Sequence, residues 1–234
     1  MLSRVGTAAL LAGASLLFTQ SAFAHVSLAG PGVAGTSQVL TFSVGHGCEG
    51  LDTASVEVTI PKEVVTVRAV PAVFGDAEVI TDDAGIVTAV KWTKVGKAHA
   101  KDDQFYQLQM RIGVPMLPFA TLLFPAKQTC KAADGTDTVV DWVATAAEVA
   151  AAKEGEEPEP APALFIVPAR SPGWNKFTAK AKITDLSVFD DAQIVWVGDA
   201  AYSKNATTAE LIKNEDGVTE LTEIAANAEI WVKY

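Results

Sequence analysis

The sequence predicts a mainly β protein, a β-sandwich followed by a small C-terminal α+β unit. Three observations carry that expectation. Apolar and polar residues alternate with period two over most of the chain up to about residue 168. Clusters of Gly and Pro break the runs at short intervals. From Ala169 onward the texture changes, and a helix-like stretch lies between two apolar runs. Many short strands with turn signals between them favour two sheets packed face to face.

The elements follow in order. Arg4 is the only charge before residue 25, and an apolar stretch from Val5 to Phe18 follows it. Ser21-Ala22-Phe23-Ala24 then ends in the A-x-A pattern that a signal peptidase reads, because its pockets admit little beyond small side chains. Residues 1–24 are therefore expected to be a cleavable signal peptide, which makes His25 the first mature residue and the periplasm the destination. No later stretch approaches ~18 uninterrupted apolar residues, so no membrane span is expected after cleavage.

The first domain is expected over residues 25–168. Leu40, Phe42 and Val44 alternate with Thr41 and Ser43, and Val56, Val58 and Ile60 alternate with Glu57 and Thr59. The clearest run is Tyr106, Leu108, Met110, Ile112 and Val114, with Gln107, Gln109, Arg111 and Gly113 between them. Such alternation lays one face on a core and turns the other to water. Further strands are expected at Val64–Val70, Ile86–Trp92, Thr121–Phe124, Thr138–Val143 and Leu164–Val167. A short helix over Ala146–Lys153 leads to Glu154-Gly155-Glu156-Glu157-Pro158-Glu159-Pro160, which reads as an exposed loop. In the second unit, residues 169–234, Ser171–Asn175 reads as a turn. Ile194–Val197 and Ile230–Tyr234 read as strands, and Thr207–Lys213 as a helix.

Of 234 residues, removal of 24 leaves 210, enough to bury a substantial core. The whole chain has 18 basic and 28 acidic residues, net −10, and loss of Arg4 brings the mature chain to −11. That balance argues against nucleic acid, whose binding comes largely from Lys and Arg neutralising phosphates. The two cysteines, Cys48 and Cys130, lack metal-type C-x-x-C spacing. In an exported chain such a pair reads as one disulfide.

His25 is the sharpest chemical signal. After cleavage its α-amine and imidazole Nδ1 can chelate one metal ion, and nitrogen donors of this kind suit Cu(II). A first hairpin pairing residues near Val26–Leu28 with those near Val39–Val44 would bring His46, in Gly45-His46-Gly47-Cys48, towards the same end. The more ordinary reading of His46 is a turn histidine bonded to backbone and held by the disulfide. His99, in a Lys-rich loop, reads as solvated.

The chain resembles the YcnI family of bacterial exported copper-binding proteins. The matching stretches are Ala24-His25-Val26, His46-Gly47-Cys48-Glu49-Gly50, Val56-Glu57-Val58-Thr59-Ile60-Pro61, Lys91-Trp92-Thr93, Phe124 to Cys130, Val140-Asp141-Trp142 and Pro160-Ala161-Pro162. The resemblance implies an immunoglobulin-like sandwich with a Cu(II) site called a mono-histidine brace. In it the N-terminal His supplies amine and imidazole, a carboxylate assists, and a tryptophan lies close by. His25 carries over directly, and Trp142 is the first choice for the tryptophan, Trp92 the second. Relatives often show an acid before a Phe where this chain has Asp102-Asp103-Gln104-Phe105, so Asp103 or Asp102 would have to serve. The extension Ala169–Tyr234 departs from relatives that end in a membrane helix. Within it Trp174, Trp196 and Trp231 read as core or interface anchors.

Three functions follow as expectations. The first is a periplasmic, non-enzymatic protein that holds Cu(II) or passes it on, with another periplasmic copper protein as partner. The second is a histidine-brace oxidase, which would need His46 as a further imidazole. The third is a metal-free interaction module. No serine or cysteine nucleophile has an evident base partner, which excludes the usual hydrolases.

Overall fold

The computed structural model describes residues 26–72, 74–75, 77–94 and 100–234. In chain order the strands of the first part are β1 (Val26–Leu28), β2 (Gly32–Val33), β3 (Ser37–Val44), β4 (Asp52–Thr59), β5 (Val67–Ala69) and β6 (Ala77–Thr81). There follow β7 (Val87–Thr93), β8 (Tyr106–Gly113), β9 (Thr121–Leu123), β10 (Ala126–Lys131), β11 (Asp137–Trp142), helix α1 (Ala146–Ala151) and β12 (Ala163–Val167). One sheet runs β1-β3-β8-β5, its partner β11-β10-β4-β7-β6, and β2-β12-β9 forms a small third sheet.

The alternation read in the sequence is the burial pattern of the strands. On β8, Leu108, Met110 and Ile112 are fully buried while Gln107, Gln109 and Arg111 are not. Phe42 of β3 meets Phe124 edge to face, with ring centroids 5.7 Å apart. Each such side chain, taken from water, contributes about 1.5–3 kcal/mol. Helix α1 buries none of its residues. It is started instead by a capping box, in which the Thr145 hydroxyl accepts from the Glu148 amide and Glu148 accepts from the Thr145 amide.

The structure departs from the expected strands in several places, and β2 and β6 were not among those expected. Only Val67–Ala69 of the expected Val64–Val70 strand pairs with β8. Ahead of it the chain turns, with the Val64 amide donating to the Pro61 carbonyl, and Val65 points into water. Strand β10, which carries Cys130, was not expected, because Gln128 occupies one of its inward positions. The turn at Ser171–Asn175 forms, closed by the Asn175 side chain on the Ser171 amide and carbonyl, but Trp174 already opens a strand.

The C-terminal part contains β13 (Trp174–Thr178), a short 3-10 turn (Leu186–Phe189), β14 (Ile194–Val197), β15 (Ala200–Tyr202), α2 (Ala206–Asn214), β16 (Thr219–Glu220) and β17 (Glu229–Lys233). Its sheet order is β13-β17-β14-β15-β16. Phe189, Val195, Ile224, Ile230 and Val232 form the centre of its core. One core member is supplied by the sandwich: Phe119, in the loop between β8 and β9, packs 5.0 Å from Phe189 and 5.7 Å from Phe177 between ring centroids. Its backbone is left-handed (φ 65°), an uncommon state for a bulky residue, and its amide donates to the Ile166 carbonyl. Within the C-terminal part, the Arg170 guanidinium pairs with Asp191 and lies 4.5 Å over the Tyr234 ring. Among the described residues no helix is long and apolar enough to cross a membrane.

Candidate metal centre

Strand register brings the loops that carry His46, Asp102 and Asp103 to one end of the sandwich. Val26 pairs with Val44, and Val44 pairs with Tyr106, so β1, β3 and β8 share one row there. The expected hairpin is thus present, with Ser27 opposite Ser43 and Leu28 opposite Phe42. The loop after Val44 carries His46, and the loop before Tyr106 carries Asp102 and Asp103. His25 and His99 lie outside the described residues.

The His46 loop is anchored on three sides. Cys48 is disulfide-bonded to Cys130 of β10, as the cysteine count predicted, with Cα atoms 5.8 Å apart. Gln128, 1% exposed, donates from Nε2 to the His46 carbonyl at 2.8 Å and to the Thr53 hydroxyl at 2.7 Å. The Gly47 amide donates to Asp102 Oδ1 at 2.9 Å, and the Asp102 amide donates to Asp52 Oδ1 at 3.1 Å. Gly47 is required for this closure: a Cβ there would come 1.7 Å from the Leu51 carbonyl oxygen.

The imidazole of His46 is oriented by its own neighbours. Nδ1 lies 2.5 Å from the Gly47 carbonyl oxygen and 3.9 Å from Asp102 Oδ1. A carbonyl can only accept, so in this contact the Nδ1–H donates to the Gly47 oxygen. Imidazoles that bind metals are oriented in this way, through the ring nitrogen that does not ligate. Asp102 is the carboxylate drawn into the loop, whereas Asp103 beside it is exposed. Among the described residues no three His, Cys, Asp or Glu side chains converge as a ready metal cluster.

The tryptophans divide by depth. Trp92 is fully buried and donates from Nε1 to the Val70 carbonyl at 3.4 Å, a structural role. Trp142 is buried in the core cluster that also holds Val26. It pairs with Ala126, four residues along β10 from Cys130, or roughly 13 Å of strand. Gln128 and Asp52 were not among the residues singled out from the sequence. Gln128 did leave a signal, as a polar residue in phase with inward-facing Ala126 and Cys130.

Fold and site together define an exported-type immunoglobulin-like β-sandwich domain with one disulfide. Residues 25–166 match the family model described as "Domain of unknown function (DUF1775)", which is the YcnI family, and the chain belongs to that family. Among solved structures, an uncharacterized protein from Nocardia farcinica with an immunoglobulin-like fold is 31% identical. That match covers 62% of this chain and 99% of the other, with a TM-score of 0.50. The major pilin subunit of Bacillus cereus is 14% identical over 86% of this chain and 51% of its own, with a TM-score of 0.33. No curated protein matches the chain.

Proposed function

We propose that the chain is an exported periplasmic protein that binds Cu(II) at its mature N-terminus and stores it or hands it to another copper protein, without catalysing a reaction. Cleavage after Ala24 frees the His25 amine, which with its imidazole supplies the two nitrogens of a mono-histidine brace. Family membership supports the metal, and the shared row of Val26, Val44 and Tyr106 supports the place. Asp102, already within the His46 loop, is a carboxylate suited to assist, with exposed Asp103 the alternative. Trp142, buried in the core cluster that also holds Val26, is the tryptophan of this reading. Hard and borderline nitrogen and oxygen donors of this set favour Cu(II) over Cu(I).

The test is a Cu(II) titration with EPR on authentically processed protein, and on protein with one extra Met before His25. The extension and His25→Ala should each abolish tight binding, and acidification through the imidazole range, about pH 6.5, should release copper as protons compete for the nitrogens. Equal affinity in blocked and authentic protein would overturn the brace. A histidine-brace oxidase is the second reading, for which His46, on the loop that follows Val44 in the row of Val26, would supply the further imidazole. It requires that His46→Ala change the EPR spectrum and that reductant plus oxygen yield peroxide or product.

A further inference from the structure

The open face of the C-terminal sheet carries three tryptophans from three neighbouring strands. Val195 and Val232 are fully buried, so Trp196 and Trp231, next to them in β14 and β17, project from the opposite face. Trp231 is the direct cross-strand partner of both Trp196 and Lys176, and Trp174 is partnered with Lys233 one step further along. Trp174 and Trp231 remain 52% and 42% exposed. With Trp196 and the side-chain-free Gly198 they line an open cleft of about 390 Å³. Helix α2 packs against β15 and β16 and leaves these three strands open. For Trp174 and Trp231 this exposure fits the interface half of the sequence reading rather than the core half.

The polar groups among the rings narrow the ligand. Trp231 is fixed by its Nε1, which donates to Glu229 Oε1 at 2.9 Å, and the Lys176 ammonium lies 5.4 Å from its ring centre. That ammonium is 2.6 Å from Glu229 Oε2, so the pair neutralises itself while still offering donors and an acceptor. Lys and Glu are depleted at the centres of protein–protein interfaces, which argues against a protein partner. The acidic chain argues against nucleic acid. Flat rings interleaved with hydrogen-bonding side chains match a ligand with C–H faces and a rim of hydroxyls. The rings run obliquely over two strand spacings, roughly 10 Å, and one two-residue step, roughly 7 Å. This exceeds one sugar ring.

We infer that this face binds a neutral, β-linked glycan chain, whose sugar rings stack on Trp174, Trp231 and Trp196 and whose hydroxyls bond Lys176 and Glu229. The test uses the full mature chain, co-sedimented with insoluble chitin and cellulose and titrated by tryptophan fluorescence with soluble N-acetylglucosamine and glucose hexasaccharides. Binding to at least one probe is expected. Trp174→Ala and Trp231→Ala should each weaken it at least tenfold, and Trp174→Tyr, which keeps a stacking ring, should retain most of it. Circular dichroism and sedimentation velocity on each variant separate loss of the face from loss of the fold. Absence of binding to every glycan, or binding indifferent to Trp174→Ala in a folded protein, would overturn the inference. So would a dimer that Trp174→Ala dissociates, or binding of a proline-rich peptide in place of the glycans.

Discussion

The sandwich and the C-terminal unit hold their cores by different means. The sandwich stacks two broad sheets around Phe42, Trp92, Leu108 and Phe124 and ties one end with the Cys48–Cys130 bond. The C-terminal unit has one sheet, a smaller core and no cysteine, and it borrows Phe119 from its neighbour. Small units bury a lower fraction of their surface and need such supplements. The sandwich is thus fastened covalently within itself, and the C-terminal unit is fastened by an apolar plug from outside.

The largest expected effect comes from the covalent tie. Reduction of a bond that closes 82 residues should cost the sandwich roughly 4 kcal/mol in the chain-entropy model. Peptide-resolved hydrogen exchange should show the loss in β4 and β10 and spare β13 to β17. A uniform loss across both parts would mean they unfold as one unit. Phe119→Ala should do the reverse, at about 3–5 kcal/mol, the usual cost of emptying a buried Phe site. Protection should fall in β13, β14 and β17 while the disulfide end keeps its own; unchanged exchange in those strands would dismiss the plug.

Smaller effects test contacts within the C-terminal unit and the surface. Arg170→Ala removes a half-exposed ion pair with Asp191 and a ring contact with Tyr234, and should cost about 1 kcal/mol after allowance for solvent screening. A shift in thermal midpoint confined to the C-terminal transition is the expected reading. Acid should have the least effect. Bonds from Lys204 and Lys176 hold the Asp190 and Glu229 carboxyls below their usual range, and the Ser187 hydroxyl and amide do the same for Asp185. Depressed folded values mean that the stability they lend is complete above the usual carboxylate range, about pH 4, and is lost as pH falls through the lowered values. Comparable carboxyls in the first part are Asp134, bonded by the Thr136 amide, and Glu148, bonded by that of Thr145. Acid titration followed by tryptophan fluorescence should therefore disturb the C-terminal unit slightly before the sandwich. The opposite order would show that these exposed groups do not govern acid stability.

What could be read in the sequence was local. The alternation of β8, the cysteine pair and the Val26–Val44 hairpin each leave a pattern in a few consecutive residues, and each is present in the structure. Strand β10 escaped notice because Gln128 breaks its apolar phase, and the reason for a buried glutamine lies far away in sequence, at His46 and Thr53. Strand β13 was hidden behind strong turn signals that belong to its first residues. The left-handed Phe119 had no local mark at all, since its ring is bought by a core built from residues after 176. At the site, the loop of His46 could be read from its glycines and cysteine. The preference for Asp102 over Asp103 came only from the three-dimensional closure onto Gly47.

That closure has a consequence for how the loop can vary. The Leu51 amide bonds the Cys48 carbonyl at 2.8 Å, and the Leu51 oxygen occupies the space where any side chain at position 47 would begin. Even alanine would push apart the turn that aims Cys48 at Cys130. Saturation mutagenesis of positions 45 to 47 should then return a lopsided alphabet, tolerant at Gly45, where a Cβ meets nothing, and restricted to glycine at Gly47.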